Sequence, residues 1–210
     1  ANIADDAVND DSTDACGPLT FSTAITAFNI SHLGENTVTL TVTDGSNNSS
    51  SATAIVTVVN IDPPINDDLC DAISLTLGET SAGDAYTTIG ASVDTDEAIG
   101  TCWNGASSPQ TVWFSFEAPT SGNVTVSTDI LGGTLTNTHI SIYEAPTHCS
   151  DLSTLGVEVA CDEDGGIGNN NLRSIATLIG LTSGNTYYIQ VDGNGTNTGT
   201  FGLEVTDDGC

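Results

Sequence analysis

Thr37-Val38-Thr39-Leu40-Thr41-Val42-Thr43 alternates strictly, apolar against threonine. Successive side chains of a β-strand point to opposite faces, so this run buries Val38, Leu40 and Val42 on one side and shows threonine on the other. An α-helix cannot use that period. Asp44-Gly45-Ser46-Asn47 follows, then a β-branched run over residues 52–59. The pair reads as a hairpin with a glycine-containing loop. A weaker strand is expected over 19–25. The period returns at 72–77, 85–89, 111–117, 123–128, 139–143, 157–160, 173–179, 186–191 and 200–205, between clusters of Gly, Asn and Asp. Val112, Phe114 and Phe116 share a face, which puts Trp113 on the opposite one. Val124 pairs with Val126 in this way, Ile140 with Ile142, and Phe201 with Leu203 and Val205. No stretch keeps a helical period over a useful length. Many short strands with regular turn signals predict an all-β sandwich or barrel.

The alternation stops at Asn60-Ile61-Asp62-Pro63-Pro64-Ile65-Asn66-Asp67-Asp68. Two prolines remove backbone donors and stiffen the chain there, so residues 62–67 read as a linker. Residues 68–210 are long enough to bury a full core. Residues 1–61 are short for an immunoglobulin-like sandwich, which takes about 100 residues and seven strands. Three strands stand behind an acidic start. Either upstream strands lie outside this stretch or a neighbouring chain supplies one.

One Lys or Arg stands against 28 Asp and Glu, a net charge of −27. Binding to nucleic acid runs on Lys and Arg, so that class of partner is excluded, and an anionic membrane surface repels the chain. No apolar run approaches the ~20 residues needed to span a bilayer, so no membrane insertion is expected. Polarity comes instead from 32 Thr and 20 Ser. The β-branched content is far above that of disordered chains. Six cysteines without a Cys-x-x-Cys motif point to an oxidising compartment; they allow 15 pairings. No signal peptide is visible and the chain opens within a module, so it reads as a piece of a longer secreted chain, extracellular or at the cell surface.

Calcium is the cofactor the acidic clusters predict. The Gly-rich loop from Cys161 offers Asp162, Glu163, Asp164 and Asn169, and Asp192 approaches from another loop. Calcium takes six to eight hard oxygens, including carbonyls that glycines free to turn inward. A second site is expected at the junction, from Asp62, Asp67 and Asp68 with Asp71. Both predict a melting temperature that rises with calcium and falls with a chelator. Asp94-Thr95-Asp96-Glu97 reads as a solvated acidic loop. Catalytic motifs are missing: there is no Gly-x-Ser-x-Gly elbow and no His-Glu-x-x-His. His32, His139 and His148 read as surface or strand-end residues, and Arg173 as the partner of a neighbouring acid. Trp103 and Asn104 fall in a Cys-Trp-Asn-Gly-Ala-Ser-Ser loop, where an exposed indole would offer a flat apolar face to a sugar ring.

Asp14-Ala15-Cys16-Gly17, Ala27-Phe28-Asn29, the run from Leu33 to Gly45 and residues 54–60 resemble the C-terminal part of a hyalin-repeat-like, immunoglobulin-fold module of secreted Bacteroidetes proteins. Such modules place a cysteine after the equivalent of Phe28-Asn29. Ile30 and Ser31 stand there instead, which leaves Cys16 without its expected partner. Asn66-Asp67-Asp68-Leu69-Cys70-Asp71-Ala72-Ile73, Thr111-Val112-Trp113-Phe114-Ser115-Phe116, His139-Ile140-Ser141-Ile142-Tyr143, Ala160-Cys161-Asp162-Glu163-Asp164-Gly165-Gly166 and Tyr187-Tyr188-Ile189-Gln190-Val191-Asp192-Gly193 resemble jelly-roll domains similar to bacterial pre-peptidase C-terminal domains. The resemblance implies a partial immunoglobulin-like sandwich over 1–61 and a jelly-roll sandwich over 68–210. It implies disulfides Cys70–Cys102 and Cys149–Cys161, with the partners of Cys16 and Cys210 open. It also implies type IX secretion and surface attachment or gliding. The expected function is that of a non-catalytic segment of a large surface adhesin or fibre, stabilised by calcium, with a glycan, a cell-surface protein or neighbouring modules of the same fibre as partner. The alternatives are a carbohydrate-binding accessory region of a secreted hydrolase and a filament subunit.

Overall fold

The computed structural model describes residues 1–15, 17–32, 34–59, 62–94, 96–104, 110–167 and 172–209. The fold is all-β. The chain divides into two compact units, Ala1–Ile61 and Asp62–Cys210.

The first unit is one antiparallel sheet in the order β1 (Thr20–Thr23), β2 (Gly34–Thr43), β3 (Ser49–Val58). Ten consecutive residue pairs join β2 to β3, from Gly34 opposite Val58 to Thr43 opposite Ser49. Val38 and Leu40 are buried on one face as expected, but Val42 is only half-buried, like Thr41 and Thr43 beside it. Asp44 closes the turn, accepting from the backbone N–H groups of Ser46 and Asn48, both at 2.8 Å. Asn47 takes a positive φ of 65°, which asparagine tolerates better than most residues.

The second unit is a β-sandwich. Its larger sheet runs β4 (Ile73–Ser74), β6 (Val112–Glu117), β11 (Thr186–Gly193), β8 (Thr138–Glu144), β9 (Glu158–Asp162). Its smaller sheet runs β10 (Ile175–Leu178), β7 (Val124–Ser127), β13 (Glu204–Asp207), and β5 (Tyr86–Thr87) pairs with β12 (Thr200–Phe201). The facing sides form one core. Val112, Phe114 and Phe116 of β6, Ile140 and Ile142 of β8, and Ile189 and Val191 of β11 meet Val124, Val126, Ala176, Leu178, Leu203 and Val205.

Two expected strands change partner midway. Over 72–77, the Leu75 N–H still donates to Ser115 of β6, but the Gly78 N–H donates to Val205 of β13. The segment crosses from one sheet to the other, so only Ile73–Ser74 remains a ladder strand. Residues 200–205 likewise split: Phe201 pairs with Tyr86, Val205 pairs with Val126, and Leu203 bonds Ser81 between them. The buried alternation of Phe201, Leu203 and Val205 survives the split.

All four cysteines expected in disulfides are bonded, but the pairing differs from expectation. The bonds are Cys70–Cys149 and Cys102–Cys161, not Cys70–Cys102 and Cys149–Cys161. Cys161 lies in edge strand β9, and the loop carrying Cys102 lies along that edge: Thr101 donates through N–H and Oγ1 to Glu158 of the same strand. Cys102 is thereby committed to Cys161, and Cys70 is left for Cys149. Cys16 and Cys210 lie outside the described residues.

Candidate functional site

Folding brings three acidic segments, separate in the sequence, to one place. A 3₁₀ turn, Leu69–Asp71, carries Asp68, Cys70 and Asp71, and the disulfide draws Cys149, Ser150 and Asp151 beside it. The loop with Asp94 and Asp96 completes a cleft of about 540 Å³. Five carboxylates line it: Asp68, Asp71, Asp94, Asp96 and Asp151. Half-buried Leu152 supplies apolar surface and Ser150 a hydroxyl, while Leu69 at the base is buried. Burial raises the Asp94 carboxyl above its ordinary value, and the charges of Asp68 and Asp67 push it further the same way. Asp151 also caps the next 3₁₀ turn, accepting from the Ser153 N–H at 3.1 Å.

Of the expected junction site, Asp68 and Asp71 line this cleft and Asp67 does not. Both Asp67 oxygens accept from Ser92, each at 2.8 Å, from its N–H and its hydroxyl. Asp62 is exposed and is not among the lining residues. Asp94 and Asp96 are expected from the sequence in a solvated acidic loop of their own. Nothing in their spacing signals Asp151, which is distant in the chain.

The other expected calcium set is not gathered. Asp162 Oδ2 accepts from the N–H groups of Gly165 and Ile175, both at 2.8 Å, and so ties the end of β9 to β10. Glu163 accepts from the Asn104 N–H at 2.6 Å and from the Asn104 side-chain amide. Asp164 is exposed, and Asn169 lies outside the described residues. Asp192 is buried and accepts from the N–H groups of Gly193 and Gln110. Among the described residues, no group of three or more His, Cys, Asp or Glu is placed to hold a metal ion.

The outer face of the larger sheet is buried as well. Trp113, Gln190, Asp192, His139 and Tyr143 stand on it, all nearly inaccessible. The loop around residues 94–104 roofs it. Gln190 Nε2 donates to the Ala98 carbonyl at 2.9 Å, and the Trp103 indole N–H donates to the Ile140 carbonyl at 3.0 Å. Thr111 donates to Glu97, which also accepts from the Asp94 N–H. Burial raises the Glu97 carboxyl to about 8 and the Asp192 carboxyl to about 6. It lowers His139, against the opposing pull of Glu163 and Asp164. The Trp113 indole nitrogen, His139 Nδ1 and Asp192 Oδ2 have no partner among the described residues.

Expectations for four residues change here. Trp103 is 7% exposed, packed on His139 with ring centroids 5.2 Å apart, so its indole offers no free face to a sugar. Asn104 stays exposed but is held by Glu163. His139 is a fully buried strand residue rather than a surface one, because it sits inside the roofed face. Arg173 donates to the carbonyls of Thr128, Ile130 and Gly132 instead of pairing with an acid; buried among backbone oxygens, it fastens the loop after β7.

No family model matches the chain, and no curated protein matches it. Among solved structures it is similar to one described as showing the promiscuous specificity of carbohydrate-binding modules from the beta-sandwich super family. The identity is 15% and the TM-score 0.24, over 93% of this chain and 86% of that one. A second is CBM51-2 in complex with GlcNAc and INT domains from Clostridium perfringens ZmpB, at 11% identity and TM-score 0.24, over 90% of this chain. This chain spans 40% of that structure's length. Among the described residues no helix is long and apolar enough to cross a membrane, and the two disulfides fit an oxidising compartment.

Proposed function

We propose that the chain is a non-catalytic extracellular β-sandwich segment that binds carbohydrate at the acidic cleft, with calcium entering together with the sugar, whose hydroxyls supply oxygens that the carboxylates, not gathered around a metal by themselves, lack. The observation that carries this reading is the convergence of Asp68, Asp71, Asp94, Asp96 and Asp151 with Ser150 on one open cleft. Carboxylates accept hydrogen bonds from sugar hydroxyls and supply the hard oxygens that calcium takes. Leu152, only half-buried, gives an apolar contact for the ring's carbon face. Polar contacts replace the indole platform, since Trp103 is enclosed.

The test is a glycan panel probed with the intact chain, with calcium and with chelator. Calcium-dependent binding of some glycan, lost in the double variant Asp71→Asn, Asp94→Asn, is expected. Binding unchanged by that variant, or none across the panel in calcium, overturns the reading.

A second reading, as an attachment or spacing segment of a surface fibre exported by type IX secretion, is favoured by a separate observation. Among its described residues the first unit holds three strands, with β3 at a sheet edge. In that role the segment contributes length and contacts to neighbouring modules. Electron microscopy of the producing cells' surface fraction tests it: a fibre of many repeats supports it, and a compact secreted protein excludes it.

A further inference from the structure

The two edges of the first unit's sheet are treated differently. At β1 the edge is four residues long, and the N-terminal segment covers it: the Thr23 N–H donates to Asp5 Oδ1 and the Thr23 hydroxyl to the Asp5 carbonyl. At β3 the edge runs for ten residues, Ser-Ser-Ser-Ala-Thr-Ala-Ile-Val-Thr-Val. It carries no charge and no proline, its register against β2 is unbroken, and none of its residues is buried. Ile55 on its outer part is 64% exposed. Natural sheets protect such edges with lysine, proline, bulges or brevity, and a long, flat, uncharged edge invites another strand. This one has none of those devices.

A groove of about 740 Å³ lies beside it. Consecutive residues 49–54 border the groove, so residues of both strand faces take part and the groove follows the edge itself. Leu40 and Val42 lie along it as apolar floor, and Asp10, Asp14 and Asp44 stand on its rim. That lining names the occupant's chemistry: apolar side chains at alternate positions, and cationic ones that meet the aspartates. A second copy of this chain does not fit. Each copy carries a net charge of −27, and its one Lys or Arg, Arg173, is buried against backbone carbonyls.

We propose that the β3 edge with its groove accepts an extended segment of a different polypeptide, alternating apolar and basic residues, as a fourth strand of the sheet. Backbone hydrogen bonds to β3 give the affinity, and Leu40, Val42 and the rim aspartates select the sequence. The inference does not rest on the carbohydrate reading, which concerns the other unit.

The experiment uses the intact chain, isotope-labelled, with a synthetic peptide of alternating Val and Lys about ten residues long, matched to β3. A Val–Glu peptide of equal length is the control. Amide exchange is followed residue by residue. The Val–Lys peptide is expected to slow exchange by about tenfold or more at the alternate β3 amides that point away from β2, Thr53 among them, and the Val–Glu peptide to leave them unchanged. Thr53→Pro, which removes a donor from the edge, is expected to abolish the effect. Thr53→Lys, which keeps the backbone donor and repels a basic strand, serves if the proline variant does not fold. Three results overturn the proposal: outward-facing β3 amides already protected in the free chain, peptide binding that leaves them unprotected, or sedimentation showing that the chain itself dimerises with those amides protected.

Discussion

At the scale of single residues, Phe114 and Glu97 illustrate opposite uses of burial. Phe114 is fully enclosed, edge-on to Tyr86 at 4.7 Å and to Phe201 at 6.1 Å. Truncating it to alanine removes transfer energy and leaves a cavity, so Phe114→Ala is expected to lower unfolding stability by about 3–5 kcal/mol in urea titration. Glu97 is a carboxyl held under the roof of the outer face, where burial favours its neutral form. Its contribution to stability is full below its ordinary value of 4.5, declines as the pH rises, and is gone above about 8. Asp192 acts in the same sense between 3.8 and about 6. His139, lowered by burial, acts in the opposite sense: its contribution is full above 6.5 and lost as the pH falls further. The chain is therefore expected to lose on the order of 2–4 kcal/mol between pH 6 and 8.5, mostly through Glu97. Urea midpoints at the two pH values check this. Glu97→Gln keeps the shape without the charge and should flatten that span. An equally steep profile in the variant would place the cause elsewhere.

At the scale of elements, alternation was legible and partnership was not. Thr37 to Thr43 states its two faces outright, and so do Val112, Phe114 and Phe116, because a strand's period is written residue by residue. The crossing of residues 72–82 between sheets is not written that way. It depends on Ser115 and Val205 lying within reach of one segment, and both are distant in the chain. The loop between β7 and β8 shows the same dependence. Gly133 there has a φ of +73°, and a side chain on it would come within 2.4 Å of the carbonyl oxygens of Gly83 and Thr200. Gly133→Ala is expected to cost more than about 1 kcal/mol, read as a lower thermal midpoint with the disulfides intact. The three segments it holds apart belong to three different parts of the sequence.

At the scale of the whole molecule, covalent staples and charge set the conditions under which the fold persists. The two disulfides interleave along the chain, with separations of 79 and 59 residues. Loops of that length are worth about 4 kcal/mol each in the chain-entropy model, so replacing the pair Cys70 and Cys149 by serine should lower stability by that order. Peptide mapping without reductant checks the pairing itself. The net charge of −27 opposes compaction, and salt screens it. Sodium chloride should therefore raise the melting temperature, and calcium at matched ionic strength should raise it further if the acidic cleft takes the ion. Equal shifts with the two salts would remove calcium from the account. The sequence alone determined the all-β class, the oxidising setting and the core faces of the second unit, because each follows from local period, composition or a residue's own chemistry. Only the tertiary structure decided that Cys70 meets Cys149, that Trp103 and His139 are enclosed, and that Asp71, Asp94 and Asp151 share a cleft. Those contacts join residues far apart in the chain, and no local pattern encodes which distant strand or loop closes over them.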